Sequence, residues 1–182
     1  MKYVILLLAL SGCAIPSYTV RNVKVFDRQV DTHMTQKQVE DLIDYTFSFP
    51  GWSELLFEHV NIKSSEDQRQ FFNEVFEGWH FVFTSNWHGV MLEDGRIALV
   101  DGLTIAKDKV IFLKVYPCYG HSAILHEVAH AIRNHLGYAE DRKHEDYEFW
   151  MVIGWIEEAM MKELCPSDYV PPTVPENLEI IE

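Results

Sequence analysis

The sequence predicts an α+β fold: a small mixed or antiparallel sheet packed on a helix that carries two histidines, with a second long helix towards the C-terminus. Three observations predict it. Helical apolar spacing fills residues 35–47 and 65–78, β-type patterning takes over from 79 to 116, and helical spacing returns from 121 to 164.

Taken in order, residues 14–34 show no clear period and read as a tether with a possible edge strand at 19–26. Thr35 is placed to cap a helix whose stripe is Val39, Leu42, Ile43, Thr46 and Phe47, broken at Phe49-Pro50-Gly51. A second helix follows Ser65, with Phe71, Phe72, Val75 and Phe76 as its apolar side, and stops at Gly78. These aromatics read as core. Residues 79–83 and 87–92 read as strands, and Glu93-Asp94-Gly95-Arg96 as a tight turn into a strand at 97–100. A further strand at 109–115 stops before Pro117. The next helix begins near His121-Ser122 and ends before Gly137, a residue suited to the position after a helix. A polar loop then leads to the last helix, from near His144, with Phe149, Val152, Ile153, Ile156 and Met160 as its buried stripe.

The N-terminus reads as an export address. Lys2 gives a short positive start, and residues 4–10 form an apolar run too short to span a bilayer. Leu10-Ser11-Gly12-Cys13 then looks like a bacterial lipobox, which implies that Cys13 is acylated and becomes the first mature residue. Ala14 after it leans, by the same resemblance, towards the periplasmic side of the outer membrane. Residues 1–12 are thus a lipoprotein signal, 13–34 a tether, 35–165 one catalytic-size domain, and 166–182 a proline-rich acidic tail. A formal net charge of -13 argues against nucleic acid as a partner. Of the three cysteines, Cys118 and Cys165 remain after lipidation; in an oxidising compartment they can pair, or stay as two buried thiols.

His126-Glu127-Val128-Ala129-His130 carries the chemistry. Two histidines four apart share one helix face and reach one zinc ion, while Glu127 beside them is placed as the base that activates water. His130 lies about 40° around the helix from His126, whereas His135 lies about 180° away and His121 is also off the ligand direction. A third ligand must come from elsewhere. Tyr119, Tyr138 and Tyr147 are close in sequence as oxyanion partners, with nothing to choose among them, and His80 and His88 read as packed strand histidines.

The motif, followed downstream by His144 and Glu148-Phe149-Trp150, resembles small SprT-like zincin peptidases. The resemblance covers about 30 residues, and only the five-residue core is specific. It implies a zincin-like fold in which an edge strand pairs with substrate, His126 and His130 as zinc ligands, Glu127 as general base and His144 as third ligand. The spacing departs by one residue, so Glu145 competes for that place. Trp155-Ile156-Glu157-Glu158-Ala159 is similar to the gluzincin second helix, which makes Glu158, or Glu157, a further candidate. If 144–158 formed one helix, His144 and Glu158 would stand about 21 Å apart and could not share a metal. The metzincin extension is absent: Arg133 and Leu136 stand where it needs Gly and His. The implied function is a membrane-anchored zinc metallopeptidase cutting an envelope protein or peptide, peptidoglycan crosslinks being a variant. The competing expectation is a non-catalytic zinc-binding envelope lipoprotein. Oligomeric state is not legible.

Overall fold

Val25, Phe81 and Ile111 sit side by side on three neighbouring strands, with Phe83 and Leu113 two residues further along, and all five are buried. The strands are β2 (Val23–Asp27), β3 (His80–Thr84) and β7 (Val110–Lys114), and they run parallel. Antiparallel neighbours close both sides: β1 (Tyr18–Val20) beyond β2, and β6 (Gly102–Ile105) beyond β7. The sheet order is β1-β2-β3-β7-β6, and β4 (His88–Met91) with β5 (Ile97–Val100) forms a separate antiparallel hairpin. This computed structural model describes residues 17–29, 32–48, 64–91, 95–138 and 144–172. The signal and Cys13, the Phe49-Pro50-Gly51 break, part of the 93–96 turn, most of the polar loop after Tyr138 and the end of the tail lie outside them.

Four α-helices are described, which makes the class α+β with a mixed sheet. Helix α1 (Gln36–Ser48) starts at a capping box: the Thr35 hydroxyl accepts from Gln38 N (3.2 Å), and Gln38 Oε1 accepts from Thr35 N (2.9 Å). Its predicted stripe, Val39 to Phe47, is the buried one. Helix α2 (Ser65–Val75) is capped by Ser64, whose side chain accepts from Asp67 N. Helix α3 (Ile124–His135) touches β6 and the other three helices, so the histidine motif lies at the centre of the domain. It ends in a Schellman turn. Gly137 N donates to Asn134 O and Tyr138 N to Arg133 O, with Gly137 at φ +82, a conformation that suits glycine. Helix α4 (Tyr147–Leu164) completes the domain.

Four sequence expectations need correction. The stretch 19–26 is two strands, not one, turning at Arg21, which takes a positive φ of 50°. The helix carrying the motif begins at Ile124, since Ser122 is spent on its entry, its hydroxyl accepting from Ile124 N. The last helix begins at Tyr147: His144 has φ +53 and so stands outside it, and Asp146 is the cap, accepting from Phe149 N. Finally, β6 was not foreseen. Its four residues follow β5 after Asp101 alone; Asp101-Gly102 is a turn signal, but the short run after it carries no period of its own.

Candidate metal centre

Helix α3 sets two imidazoles one turn apart, and the left-handed turn at His144 brings a third over them. His126 Nε2 and His144 Nε2 are 3.1 Å apart, and His144 Nε2 and His130 Nε2 are 3.3 Å apart. Donors around a tetrahedral zinc at about 2.05 Å would stand roughly 3.3 Å from one another, which these two separations match, and all three ligand atoms lie within 4.8 Å of one another. His126, His130 and His144 are the group among the described residues whose ligand atoms lie close enough to hold a metal ion. The predicted set of three therefore meets.

The competing donors do not join it. Glu158 is exposed on α4 and accepts from Lys162 (2.6 Å), which lowers its pKa. Glu145 is exposed. His135 faces Phe71 and Glu74, and His121 stacks on Tyr116 and shares a 2.8 Å hydrogen bond with the Tyr169 hydroxyl. His80 packs on Phe26, and His88 on Phe112. Glu157 is more buried than Glu158 and within the fields of Asp101 and Glu127, with a hydrogen bond from the backbone of His126. Burial, then those two charges, push its carboxyl up to about 8.

Trp150 forms the floor. Its ring centroid lies 4.7 Å from that of His126, 4.4 Å from His130 and 4.3 Å from His144, and the side chain is buried. The three imidazoles thus stand around one indole, which limits their rotation and excludes water from that side. Burial, with the neighbouring His144, holds the His126 pKa down at about 4, so this ring is the neutral base that a metal needs.

Glu127 is 5% exposed. Its Oε2 accepts from the Thr104 hydroxyl at 2.7 Å, and that hydroxyl also lies 3.0 Å from the Glu127 carbonyl oxygen. Burial raises its pKa to about 7; the Thr104 hydrogen bond opposes this and Asp101 adds to it. Gly102 matters for space, because a Cβ there would fall 2.4 Å from Glu127 Oε1. Sequence reading missed Gly102 and Thr104 because they meet Glu127 only through the fold, from a strand that itself was not foreseen, and Asp101 because its charge acts on Glu127 from the residue before that strand. Trp150 was visible only as the aromatic trailing the third histidine.

His144 is held in place from its C-terminal side. Arg133 on α3 donates to Asp146 Oδ2 (2.8 Å), and its guanidinium lies over Phe149 (4.5 Å) and Tyr138 (4.8 Å). Asp146 also caps α4, so one ion pair joins the motif helix to the residue two beyond His144. Replacing Arg133 with Ala is expected to weaken binding of a metal ion at the three histidines about 10-fold while leaving His126 and His130 in place, as a displaced outer partner typically does. Competition with a zinc-sensitive dye measures it. Unchanged affinity would show that Arg133 does not position the third ligand.

Cys118, on the approach to α3, is joined to Cys165 at the end of α4 by a disulfide with Cα atoms 5.6 Å apart. The two helices bearing the metal centre and its floor are thereby tied together covalently. No protein family, curated protein or solved structure matches the chain.

Proposed function

We propose that this chain is a zinc-dependent metallopeptidase of the zincin kind, held to a membrane by lipid on Cys13 and acting on a protein or peptide of the cell envelope. One observation carries the reading: three imidazole nitrogens converge at α3, and the Glu127 carboxylate of that helix is buried against β6, a strand that no described strand pairs on its outer side. Bound at His126, His130 and His144, zinc would supply Lewis acidity and ease the ionisation of water. Three protein donors leave a tetrahedral ion one open place, which suits catalysis better than a closed structural site.

The chain's own groups do the rest. Glu127 takes the proton of the attacking water and passes it to the departing amine. Strand β6 offers the substrate a place. Lys114 N donates to Asp101 O, so that pair is hydrogen-bonded, and by alternation Leu103 and Ile105 also bond inward to β7. Gly102 and Thr104 then turn their backbone groups outward along an edge that no described strand pairs, where an extended polypeptide can add as a strand. The lipobox-like residues support export and anchoring, and no described helix is long and apolar enough to cross a membrane.

The deep burial of Glu127 favours one competitor, a lipoprotein in which the metal only holds the fold. The test is zinc content together with hydrolysis of fluorescein-labelled casein. One zinc per chain is expected, lost strongly in His144→Ala and kept in Glu145→Ala and Glu158→Ala. Casein cleavage should follow the zinc. If Glu158→Ala loses zinc and His144→Ala keeps it, the ligand set is wrong; zinc without cleavage of casein or of a peptide library would favour the structural role.

A further inference from the structure

Strand β6 does more than offer an edge. Gly102 and Thr104 alternate along it, so both face α3, and each meets one oxygen of the Glu127 carboxylate. At Thr104 the contact is a donated hydrogen bond to Oε2 at 2.7 Å. At Gly102 it is the absence of a side chain, since Oε1 lies where a Cβ would be. The Thr104 hydroxyl also stands within 3.0 Å of the Glu127 backbone carbonyl, so one group touches both ends of the same residue and fixes its side-chain torsions. These are the two positions whose backbone groups face outward to an added strand. The strand that would receive substrate and the strand that grips the base are therefore the same strand, at the same residues.

We propose that Gly102 and Thr104 are positioning residues for Glu127, which make the base and the substrate-binding edge a single rigid unit. The inference rests on the metallopeptidase reading. Neither residue touches the reacting atoms. Thr104 aims the carboxylate through its hydroxyl, and Gly102 leaves the volume that the carboxylate occupies. Loss of a hydrogen bond to a charged group changes an equilibrium by about 10- to 100-fold, which sets the expected size.

The probe is acetohydroxamic acid, which chelates zinc and shares its proton with a correctly placed carboxylate. Its affinity for the zinc-loaded full chain is measured by calorimetry, beside casein cleavage, zinc content and melting temperature. Thr104→Val should keep zinc, lower the melting temperature by only about a few degrees, bind the hydroxamate about 10-fold more weakly, and lose kcat with little change in KM. Thr104→Ser, which restores the hydroxyl, should return both values to within about 3-fold of the parent. Gly102→Ala should weaken the hydroxamate as Thr104→Val does, because the flexible Glu127 side chain must give way. In a Glu127→Ala background the same Gly102→Ala change should have no effect on melting, since the space is then empty.

If Thr104→Val matches the parent while Glu127→Gln weakens the hydroxamate, the positioning role is wrong and the metallopeptidase reading stands. If Thr104→Val sheds zinc or unfolds and Thr104→Ser does not rescue it, the role is structural and the proposal falls. If the parent takes up no zinc, or Glu127→Gln changes neither cleavage nor hydroxamate binding, the functional reading fails and takes this inference with it.

Discussion

Removing the Cys118–Cys165 disulfide is expected to lower the stability of the folded chain by about 4 kcal/mol. The bond closes a loop with a sequence separation of 47, and the chain-entropy cost of leaving such a loop open in the unfolded state gives that size. The loop contains the whole of α3 and the whole of α4, so it spans the candidate metal centre. Gly120 shows how closely the joined segments pack: a Cβ there would lie 2.7 Å from Leu164 Cβ and 3.3 Å from Cys165 Sγ. The His121–Tyr169 hydrogen bond reinforces the same junction from the residues after Cys165. Urea unfolding of the oxidised chain, against Cys118→Ser/Cys165→Ser made together, measures the difference. Equal midpoints would mean that packing at this junction suffices without the bond. Zinc should raise both midpoints and leave the gap in place, because it binds the folded form of either chain, whereas the disulfide acts on the unfolded one.

Much of the fold was legible because it is written in local spacing. Val39, Leu42, Ile43 and Phe47 announce α1, Thr35 and Gln38 announce its start, and Gly137 announces the end of α3. His126 and His130 were legible for the same reason, since four residues make roughly one helical turn. His144 was harder. Its approach to the pair depends on a left-handed residue and on the Arg133–Asp146 ion pair, and no periodicity records either. Reading a helix from 144 onwards placed it on the wrong element, although the choice of His144 over Glu158 agrees with the geometry. The least legible part is β6. Thr104 meets Glu127 across 23 residues of sequence, and Gly102 contributes only by lacking a side chain. Contacts of that kind exist only after the sheet and helix have packed, so a single sequence offers no sign of them.

Glu127→Gln is expected to separate metal binding from catalysis. The amide keeps the shape of the side chain, and the three imidazoles are untouched, so zinc content should equal that of the parent. Casein hydrolysis should fall by about 100-fold or more, because the amide cannot take up the proton of the attacking water. The same change should alter stability against pH in the metal-free chain, and the signs can be followed group by group. His126, held at about 4 against an ordinary 6.5, costs stability as pH falls through that interval. Glu127 at about 7 and Glu157 at about 8, against an ordinary 4.5, stabilise the fold when protonated and lose that contribution as pH rises through those values. Below pH 6.5 the histidines, His80, His88 and His121 included since burial lowers their pKa as well, oppose the carboxyls; between 6.5 and 8 the carboxyls dominate. Stability of the metal-free parent should therefore drop by on the order of 2 kcal/mol across that upper window. Glu127→Gln removes one of the two acids and the repulsion it exerts on the other, so the drop should shrink. Zinc should oppose it in the parent, since a cation beside Glu127 favours the carboxylate. Thermal melts at pH 6.5 and 8, with and without zinc, read all of this. A parent whose melting temperature rises over that window without metal would mean that the carboxyls of Glu127 and Glu157 are not held protonated in the fold.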